Sequence, residues 1–508
     1  MTLSWRTSLT LAVLACAALT VPVLLLSSTA DAATARDSVR TTFLFSRSLS
    51  GGIPNGPSRH GTVSHDQRIA RVAAYESDAS NIVEGDTNGV TDVFMVRRAA
   101  PWGRNGTPWS MGPTQLVSKG MGGAPANGRS YAPELDGSSH NAPRCIGFIS
   151  EASNLVPGDT NEAADAFVYD LKRNKITRVS VNSAGRQANG PSFDVSVDGD
   201  CERVAFTSTA TNLALKKVVK TSWRTAKSSG GTGGHKQVYV HVRSGKGHDR
   251  GFKRMTFLAS ASKSGRPGNG DSFEPYFAGS GKAVVFTSAA RNLARGDRSS
   301  NADVYIRTFV RKYTRYRGKG HQMLKFDTRL VSANRSGRAG NGPSTQPTTT
   351  DDARWVSFKT DATNLLPGDR NSVSDIARAD LKKKRVKLNW VSKGIEGIGN
   401  GASNNPVMSN AGEFVLFDSD ATNFRPSYSV IPDPNGVRDM FLWNAPTKNV
   451  SLESRNWDNK YLTTSSSNPK TSSRGNYVLF ESADQSIDQL LRNYTGVPQV
   501  YMRYLGPQ

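Results

Sequence analysis

A unit of two alternating motifs recurs seven times along the chain and constrains its fold more than any other feature. One motif reads YESDASNIVEGDTNGVTDVFMV at residues 75–96, and copies of it begin at residues 148, 206, 286, 358, 417 and 480, two of them degenerate. The other reads TRVSVNSAGRQANGPSFDVSVDGD at residues 177–200, with cognates near Thr41, Thr114, Arg254, Thr328, Lys387 and Asn449. Regular repeats of this length indicate an array of similar supersecondary units.

Each unit contains four short runs of strand-forming residues. In the second and third units FDVSV and TRVSV alternate apolar with polar residues, whereas RVAFTS and AFVYD are rich in β-branched and aromatic side chains. Gly, Asn, Asp and Pro fill the gaps between the runs. Seven such units predict an all-β fold, a seven-bladed β-propeller of four-stranded antiparallel blades. A solenoid is the structural alternative, but four-stranded units with long polar connections favour blades.

The phase of the repeat predicts how the ring closes. The first strand-like run, TTFLFS at residues 41–46, matches the outermost strand of a unit. The last, QVYMRY at residues 499–504, matches the third strand. We therefore expect residues 33–508 to form one propeller, closed by the N-terminal strand joining the C-terminal blade. Such closure removes the exposed sheet edges that otherwise promote aggregation.

The repeated element S-x-A-x-N-L-x-x-G-D, followed by D-V-F and R-V-S, resembles the secreted TolB-like β-propellers of bacteria over about residues 41–505. The resemblance implies a propeller that binds or scaffolds. Some members of this group carry a fused hydrolase domain or a metal-dependent lyase site. This sequence departs from both, because the repeats occupy nearly the whole chain after residue 32 and no G-x-S-x-G nucleophile motif is present.

The N-terminus has the pattern of a secretory signal peptide. A short polar start precedes an apolar run from Leu9 to Leu26, and cleavage is expected after Ala32, which removes residues 1–32. A retained anchor and a lipidated Cys16 are the alternatives. We expect a secreted, extracellular or cell-envelope protein that is a monomer and has no further membrane span.

Two cysteines, Cys145 and Cys201, follow the predicted signal peptide. Two cysteines in an exported chain suggest one disulfide, with two buried thiols as the alternative. Aligning FISEASNL with FTSTATNL places both cysteines near the start of the second strand of neighbouring blades.

Five units contain an acidic loop between the second and third strands, in which one Asp lies six residues before another. The pairs are Asp86/Asp92, Asp159/Asp165, Asp297/Asp303, Asp369/Asp375 and Asp433/Asp439, and the residue two after the first Asp is Asn88, Asn161, Ser299, Asn371 or Asn435. These side chains offer the hard oxygen donors that calcium binds. The loops are not EF-hands, because no Glu closes them. Asx-turns explain the same residues without a metal, and we favour that interpretation. The recurring Asn-Gly-x-Ser also suits a tight turn.

The formal net charge of +23 is unevenly distributed. Basic connections join the third and fourth strands of units three to five, on the propeller face opposite the acidic loops. The candidate polyanion-binding residues in them are Arg311, Lys312, Arg315, Arg317, Lys382, Lys383 and Lys384. Interleaved Arg and Tyr suit an anionic polymer, whereas a merely solvated basic surface is the favoured alternative. A basic insert at residues 215–236 falls on the acidic face and blurs this segregation.

No catalytic residue is assigned from the sequence. The seven histidines form no metal-ligand pair such as H-E-x-x-H, and no P-loop or dinucleotide fingerprint occurs. We therefore predict a non-enzymatic binding or scaffold module for an acidic polymer or an envelope protein, with calcium at the acidic loops as the one candidate cofactor. The alternative is a propeller enzyme, a metal-dependent lyase or hydrolase, that acts on an extracellular polysaccharide.

Overall fold

The computed structural model describes residues 40–66, 69–99, 108–138, 140–214, 234–243, 254–316, 319–383, 385–424, 433 and 435–506. Side chains are described throughout these ranges except at residues 310–325. The predicted signal peptide, with Cys16, lies outside the described residues. Within the described ranges, the structure has no helix with the length and apolar character that a membrane span requires.

Seven four-stranded antiparallel sheets form the molecule, and each sheet is one blade. Blade 1 contains β2 (Ser58–Val63), β3 (Val72–Ser77), β4 (Asp92–Arg98) and β5 (Met111–Leu116). Blade 2 contains β6 (Ser130–Leu135), β7 (Cys145–Ser150), β8 (Asp165–Asp170) and β9 (Lys175–Arg178). Blade 3 contains β10 (Ser192–Val197), β11 (Arg203–Ser208), β12 (Gln237–Val242) and β13 (Met255–Leu258).

The remaining blades repeat this order. Blade 4 contains β14 (Ser272–Phe277), β15 (Ala283–Ser288), β16 (Asp303–Tyr316) and β17 (Lys319–Leu330). Blade 5 contains β18 (Ser344–Thr349), β19 (Trp355–Thr360), β20 (Asp375–Asp380) and β21 (Lys387–Trp390). A small ribbon of β22 (Lys393–Gly394) and β23 (Gly397–Ile398) precedes blade 6, which contains β24 (Ser403–Met408), β25 (Phe414–Ser419), β26 (Asp439–Asn444) and β27 (Val450–Leu452). Blade 7 combines β28 (Ser466–Thr471), β29 (Tyr477–Ser482) and β30 (Gln499–Tyr504) with β1 (Thr41–Leu44). The predicted seven-bladed propeller is confirmed.

The apolar core lies between neighbouring blades, which explains why the second strands are so hydrophobic. Every residue of β3, β7, β11, β15, β25 and β29 is buried. A stacked aromatic pair joins the second and third strands of six blades, as in Phe148–Phe167, whose ring centroids are 5.7 Å apart. Burying one such side chain contributes about 1.5–3 kcal/mol. The repeated aromatic residues therefore hold each blade together and pack it against the next.

The ring closes through β1, as the repeat phase predicts. β1 pairs antiparallel with β30, with Thr41 opposite Tyr504 and Leu44 opposite Tyr501. Arg503 of β30 is fully buried, and it donates to Thr42 Oγ1 (2.8 Å) and lies 3.5 Å from the Glu453 carboxylate of blade 6. A buried ion pair with satisfied hydrogen bonds fixes register, and this one fixes the closing strand against two blades.

Candidate functional site

The first strands of the seven blades surround a central channel, and each carries a bulge at its third residue. Register shifts occur at this point in all seven strands. Six of the third residues adopt left-handed φ values between 47° and 53°: His60, Ala132, Glu274, Gln346, Asn405 and Asn468. The next residue in five blades is proline, which removes a donor from the sheet. Bulges with strained φ values re-aim backbone groups and cluster at functional sites.

Amide groups of these bulges donate to side chains of the preceding blade and form a polar ring. His60 N donates to Glu481 Oε1 (2.7 Å), and Ala132 N donates to Glu76 Oε2 (2.6 Å). The same contact recurs from Glu274 N to Asp194 Oδ2 (3.1 Å) and from Gln346 N to Glu274 Oε2 (2.7 Å). We call Glu76, Asp194, Glu274, Asp418 and Glu481 the carboxylate ring. It surrounds the channel near the face that carries the acidic loops.

A histidine stands at the mouth of this ring. His60 Nδ1 lies 2.8 Å from Glu76 Oε1, and its side chain is 52% exposed. The hydrogen bond with Glu76 raises the pKa of His60, although burial opposes the effect. Burial raises the pKa of Glu274 and of Glu481. The ring therefore gathers acidic groups at the centre of a protein whose net charge is strongly positive.

Deeper in the channel, His65, Glu134, Tyr276 and Asp351, among others, line a small space that has room for about one water molecule. Lys470 of blade 7 reaches across to Glu134 of blade 2, with Nζ and Oε2 3.3 Å apart. Burial lowers the pKa of His65, which favours a neutral imidazole, and burial raises the pKa of Tyr276. Both charged and neutral hydrogen-bonding groups therefore line this space.

Turns between first and second strands meet on the axis at the opposite end of the channel. Gly199 N donates to Gly279 O (3.0 Å), Ser280 N to Asp351 O (2.9 Å) and Asp351 N to Asn410 O (3.1 Å). Asn410 Nδ2 also donates to the carbonyl of His65 in blade 1 (3.1 Å). A Cβ at Gly199 would lie 2.5 Å from Gly279 O, so only glycine allows this approach. These bonds draw the turns together across the axis at this end.

The acidic loops adopt one geometry in blades 1, 2, 5 and 6. The Asn of each loop accepts a hydrogen bond from the amide two residues on, as Val90 N donates to Asn88 Oδ1 (3.3 Å). Its Nδ2 donates to a carbonyl of the next blade, as Asn371 does to Gly399 O (2.6 Å). Ser299 replaces Asn in blade 4 and donates to Asp303 Oδ2 (3.1 Å). The favoured turn interpretation therefore accounts for the middle residue of the loop.

The second Asp of each acidic loop is fully buried at the start of the third strand. A serine of the fourth strand donates to it in all five blades, at 2.5–2.6 Å. Burial raises the pKa of Asp92 and Asp375 to about 6, and that of Asp303 and Asp439 to about 7. The first Asp of the same loop contributes to each of these four increases in pKa. The two carboxylates of a loop are therefore close enough to repel each other.

Blade 2 differs, because an arginine lies between its two loop carboxylates. Arg178 Nη1 is 3.1 Å from Asp159 Oδ1 and 3.4 Å from Asp165 Oδ2. Gln187 Nε2 donates to the same two carboxylates, at 2.7 and 3.0 Å. No feature of the repeat indicates this contact, since the arginine belongs to the fourth strand and the glutamine to the loop after it.

The predicted basic residues that the structure describes lie at the ends of the blades opposite the acidic loops. Arg311, Lys312 and Arg315 lie in the long strand β16, where only the backbone is described. Lys382 and Lys383 are exposed in the turn after β20. Arg317, Lys384, most of the basic connection of blade 3 and most of the insert at 215–236 lie outside the described residues.

Cys145 and Cys201 form a disulfide between blades 2 and 3, with Cα atoms 6.1 Å apart. Asp136 lies against it and accepts hydrogen bonds from Arg144 N (2.7 Å) and Cys145 N (3.0 Å). The Asp136 carboxylate and both sulfurs lie within 4.8 Å of one another. A metal would need free thiolates there, and the disulfide uses both sulfurs.

Sequence comparisons assign no family: no family model matches the chain, and no curated protein is significantly similar to it. Solved structures show distant similarity of fold. TolB from Acinetobacter baumannii is 12% identical, over 71% of this chain and 63% of that chain, with a TM-score of 0.33. The putative TolB from Agrobacterium tumefaciens is 12% identical, over 77% and 93%, with a TM-score of 0.34.

An acylaminoacyl peptidase from Pyrococcus horikoshii is 11% identical, over 88% of this chain and 52% of that chain, with a TM-score of 0.40. This chain therefore spans less than two thirds of the length of that peptidase and of the Acinetobacter TolB. The similarity to TolB-like and peptidase propellers concerns the fold alone, and the predicted resemblance is confirmed to that extent.

Proposed function

We propose that this chain is an exported binding module, secreted or held in the cell envelope, that binds an anionic polymer on the face opposite the acidic loops. The hairpin of β16 and β17 carries the proposal. Pairing between β15 and β16 ends where Ala283 meets Thr308, whereas β16 and β17 stay paired as far as Tyr316 and Lys319. Eight further residues per strand extend the hairpin by roughly 26 Å beyond its sheet.

The extension is rich in lysine and arginine, and aromatic packing holds the end of it that joins the sheet. Residues 309–326 include six lysines and arginines and no Asp or Glu. At its base Phe309 is buried and packs edge-on against Phe257 (5.6 Å) and Phe277 (5.8 Å). The sequence of this hairpin therefore concentrates positive charge in one segment of the chain.

The neighbouring blade adds to this surface. Arg329 of β17 donates to Leu381 O (3.3 Å) and to Lys383 O (3.2 Å), which ties the basic turn of blade 5 to the hairpin of blade 4. Lys382 and Lys383 stand exposed beside it. Lysines and arginines that neutralise a polyanion release condensed counterions, so binding should depend steeply on salt.

Binding to heparin and to a single-stranded oligonucleotide, measured by fluorescence anisotropy, tests the proposal. With about five contacts, raising salt from about 50 to about 200 mM should weaken binding by roughly two to three powers of ten, taking the slope of duplex DNA. Changing Arg311, Arg315 and Arg317 to Ser should abolish most of the salt-dependent affinity.

The matched control changes Lys172, Arg173 and Lys175 to Ser. These substitutions remove the same charge from the same face of the propeller. They lie in the turn after β8 and at the first residue of β9 in blade 2. The control should bind as the parent does. An equal loss of affinity in both variants would show that only the net charge of the protein matters. An affinity that does not depend on salt would contradict the proposal altogether.

Action on an extracellular polysaccharide is the second candidate function, and the convergence of His60 with Glu76 and Glu481 at the channel mouth is the observation that favours it. A histidine between two carboxylates is a group that can move a proton. Release of new reducing ends from acidic polysaccharides, lost in His60→Ala and retained in the variant Arg311→Ser, would support this function. No release by the parent protein would exclude it for the substrates used.

A further inference from the structure

We propose that one side of the face that carries the acidic loops, centred on blade 7, rests on the surface of a lipid bilayer and inserts apolar side chains into it. Among the side chains that the structure describes, six large apolar or aromatic ones are exposed: Leu49, Met121, Ile395, Trp457, Leu490 and Tyr494. All six lie in connections on this face, and we call them the apolar tips. The surface is separate from the basic hairpin and does not depend on the polymer binding proposed above.

Four of the apolar tips occupy the same position in consecutive connections. Every blade has a serine after its fourth strand that donates to the first residue of the third strand. The residue three after this serine is Ile395, Trp457, Leu49 or Met121 in the connections that lead into blades 6, 7, 1 and 2. Leu490 and Tyr494 lie between β29 and β30, in the middle of this series. Consecutive blades are neighbours in the ring, so the apolar tips share one side of the face.

The fold of these connections does not require an exposed apolar residue. The other three connections have Ser183, Lys263 and Arg335 at the same position. Members of both groups close the same turn, in which the residue two after the serine donates to a carbonyl four residues on, at 2.9 Å from Ser48 N and 2.8 Å from Ser262 N. Large apolar side chains that are exposed without a structural need indicate a surface that contacts a partner.

The residue directly after the serine also differs between the two groups. It is basic in the four connections with apolar tips: Arg47, Lys119, Lys393 and Arg455. In the other three connections it is a buried apolar residue, Val181, Ala261 or Ala333. Cations beside exposed apolar side chains are the combination that binds at the interface of a bilayer with anionic headgroups.

Carboxylates on this side of the face do not outweigh these cations. After the serine, the four connections contain two acids, Glu396 and Asp458. Lys460 pairs with Asp458, with Nζ and Oδ2 2.9 Å apart. Blade 7 has no acidic pair in its loop, and in blade 1 both paired carboxylates, Asp86 and Asp92, are buried. Anionic headgroups would therefore meet a surface on which the basic residues are the more accessible charges.

Hydrogen bonds hold the apolar tips of blade 7 in place. Asp488 accepts from Leu490 N (2.9 Å) and from Leu44 N of β1 (2.8 Å), which ties the loop to the closing strand. Trp457 N donates to Ile487 O (2.9 Å) of the same loop. The apolar tips belong to five separate segments of chain. A protein partner would need a matching depression for each segment, whereas a fluid bilayer accommodates them all, and Trp and Tyr are typical of its interface.

Flotation of the exported protein with vesicles tests the proposal. The parent should float with vesicles of phosphatidylcholine and phosphatidylglycerol, and less with vesicles of phosphatidylcholine alone. The apolar variant, Leu49→Ser with Met121→Ser and Leu490→Ser, keeps every charge. It should bind the mixed vesicles at least about tenfold more weakly, because each apolar side chain that leaves water adds to the affinity. Its thermal unfolding should match that of the parent, since another connection has Ser183 at the position of Leu49 and Met121.

The matched control, Arg311→Ser with Arg315→Ser and Arg317→Ser, removes charge from the opposite face and should float nearly as the parent does. A parent that does not float, or an apolar variant that floats as the parent does, overturns the proposal. Loss of binding in the control alone would assign vesicle binding to the basic hairpin instead. A parent that is dimeric by light scattering and becomes monomeric only in the apolar variant would assign the apolar tips to a second copy of the chain, which also contradicts membrane contact.

Discussion

At the residue scale, the surroundings of each buried carboxyl group determine its pKa. Asp92, Asp375 and Asp439 each sit at a strand start where a serine donates to one oxygen, and burial raises their pKa values to about 6 or 7. Glu453 behaves in the opposite way. Burial alone would raise its pKa, but Arg40 and Arg503 together hold that pKa below its ordinary value. Environment, and not residue type, decides which acid is ionised in the fold.

These shifts predict how stability depends on pH in the absence of calcium. A carboxylate whose folded pKa is raised stabilises the fold fully below its unfolded pKa, and that contribution is lost as pH rises through the folded value. Between pH 5 and 7 each such Asp should lower the free energy of unfolding by up to about 1.4 kcal/mol per pH unit. Urea denaturation in chelator should therefore show lower stability at pH 7 than at pH 5.

Asp439→Gln should flatten this slope. Glu453 contributes to stability in a different pH range. Because its pKa is lowered in the folded protein, this contribution is lost only as the pH falls below the ordinary pKa of a glutamate. A chelated protein whose stability rises steadily from pH 5 to pH 7 would contradict the raised pKa values.

The sequence predicts features that are marked by a repeated residue type. It does not predict features in which only the structural position repeats and the residue varies. The carboxylate ring takes Asp194 and Glu274 from the third position of the first strand but Glu76, Asp418 and Glu481 from second strands, so no single repeated residue marks it. The bulges did leave a signal in five blades, a residue that follows Ser-x and precedes Pro, as in Gln346-Pro347. The role of Arg178 could not be predicted for a different reason. Most blades have leucine at the aligned position of the fourth strand, so a single arginine there resembles an ordinary surface substitution. Only the fold shows that Asp159 lies beside it.

Strands and turns determine how the ring is held at the element scale. β1 closes the ring by pairing with the edge of β30. The turns between first and second strands meet on the axis at one end of the channel. The first of these was predictable, because the phase of a repeat can be read from its first and last strands. The second was not, since the turn residues share little sequence and meet only once all seven blades are in place.

Removal of β1 should expose the edge of β30. A protein lacking residues 33–48 should aggregate, because an unpaired edge strand offers hydrogen bonds to a second chain. Light scattering and size-exclusion chromatography measure this. A truncation that lacks only residues 33–39 keeps β1 and should stay monodisperse, and equal behaviour of the two truncations would contradict the role of β1.

Substitution of Gly279 should loosen the axial end of the channel. A Cβ there would overlap the Asp351 carboxylate, so Gly279→Ala must displace this side chain, which accepts a hydrogen bond from Asn410 Nδ2 (3.1 Å). We expect a loss of about 1–3 kcal/mol, the usual cost of overpacking. The control is Gly52→Ala, whose new Cβ would lie 3.6 Å from its nearest neighbour, Ser48 Oγ. Thermal unfolding that is equal in both variants would show that the turn yields easily.

Charge is segregated at the scale of the whole molecule. Acidic loops and the carboxylate ring mark one face, and the basic hairpin with the blade 5 turn marks the other. Between them the disulfide joins blades 2 and 3 and closes a segment of 56 residues. The sequence left a disulfide and two buried thiols both open, although the aligned repeats place both cysteines near the starts of neighbouring strands.

Loss of this disulfide should destabilise the molecule. Replacing Cys145 and Cys201 with serine should reduce the free energy of unfolding by roughly 2–5 kcal/mol, mainly through the greater freedom of the unfolded chain. Denaturation of the parent with and without a reducing agent measures the same effect. The double variant should not respond to the reducing agent, and a parent that is equally stable when reduced would contradict the prediction.

The pairing of β1 with β30 also has a consequence for biosynthesis. β1 leaves the ribosome among the first segments of the chain, while its partner is made more than 400 residues later. At usual elongation rates that interval is roughly 20–90 seconds. Throughout it β1 has no partner strand, so a chaperone that protects unpaired segments would act longest on this part of the chain, and the ring can close only after β30 has been synthesised.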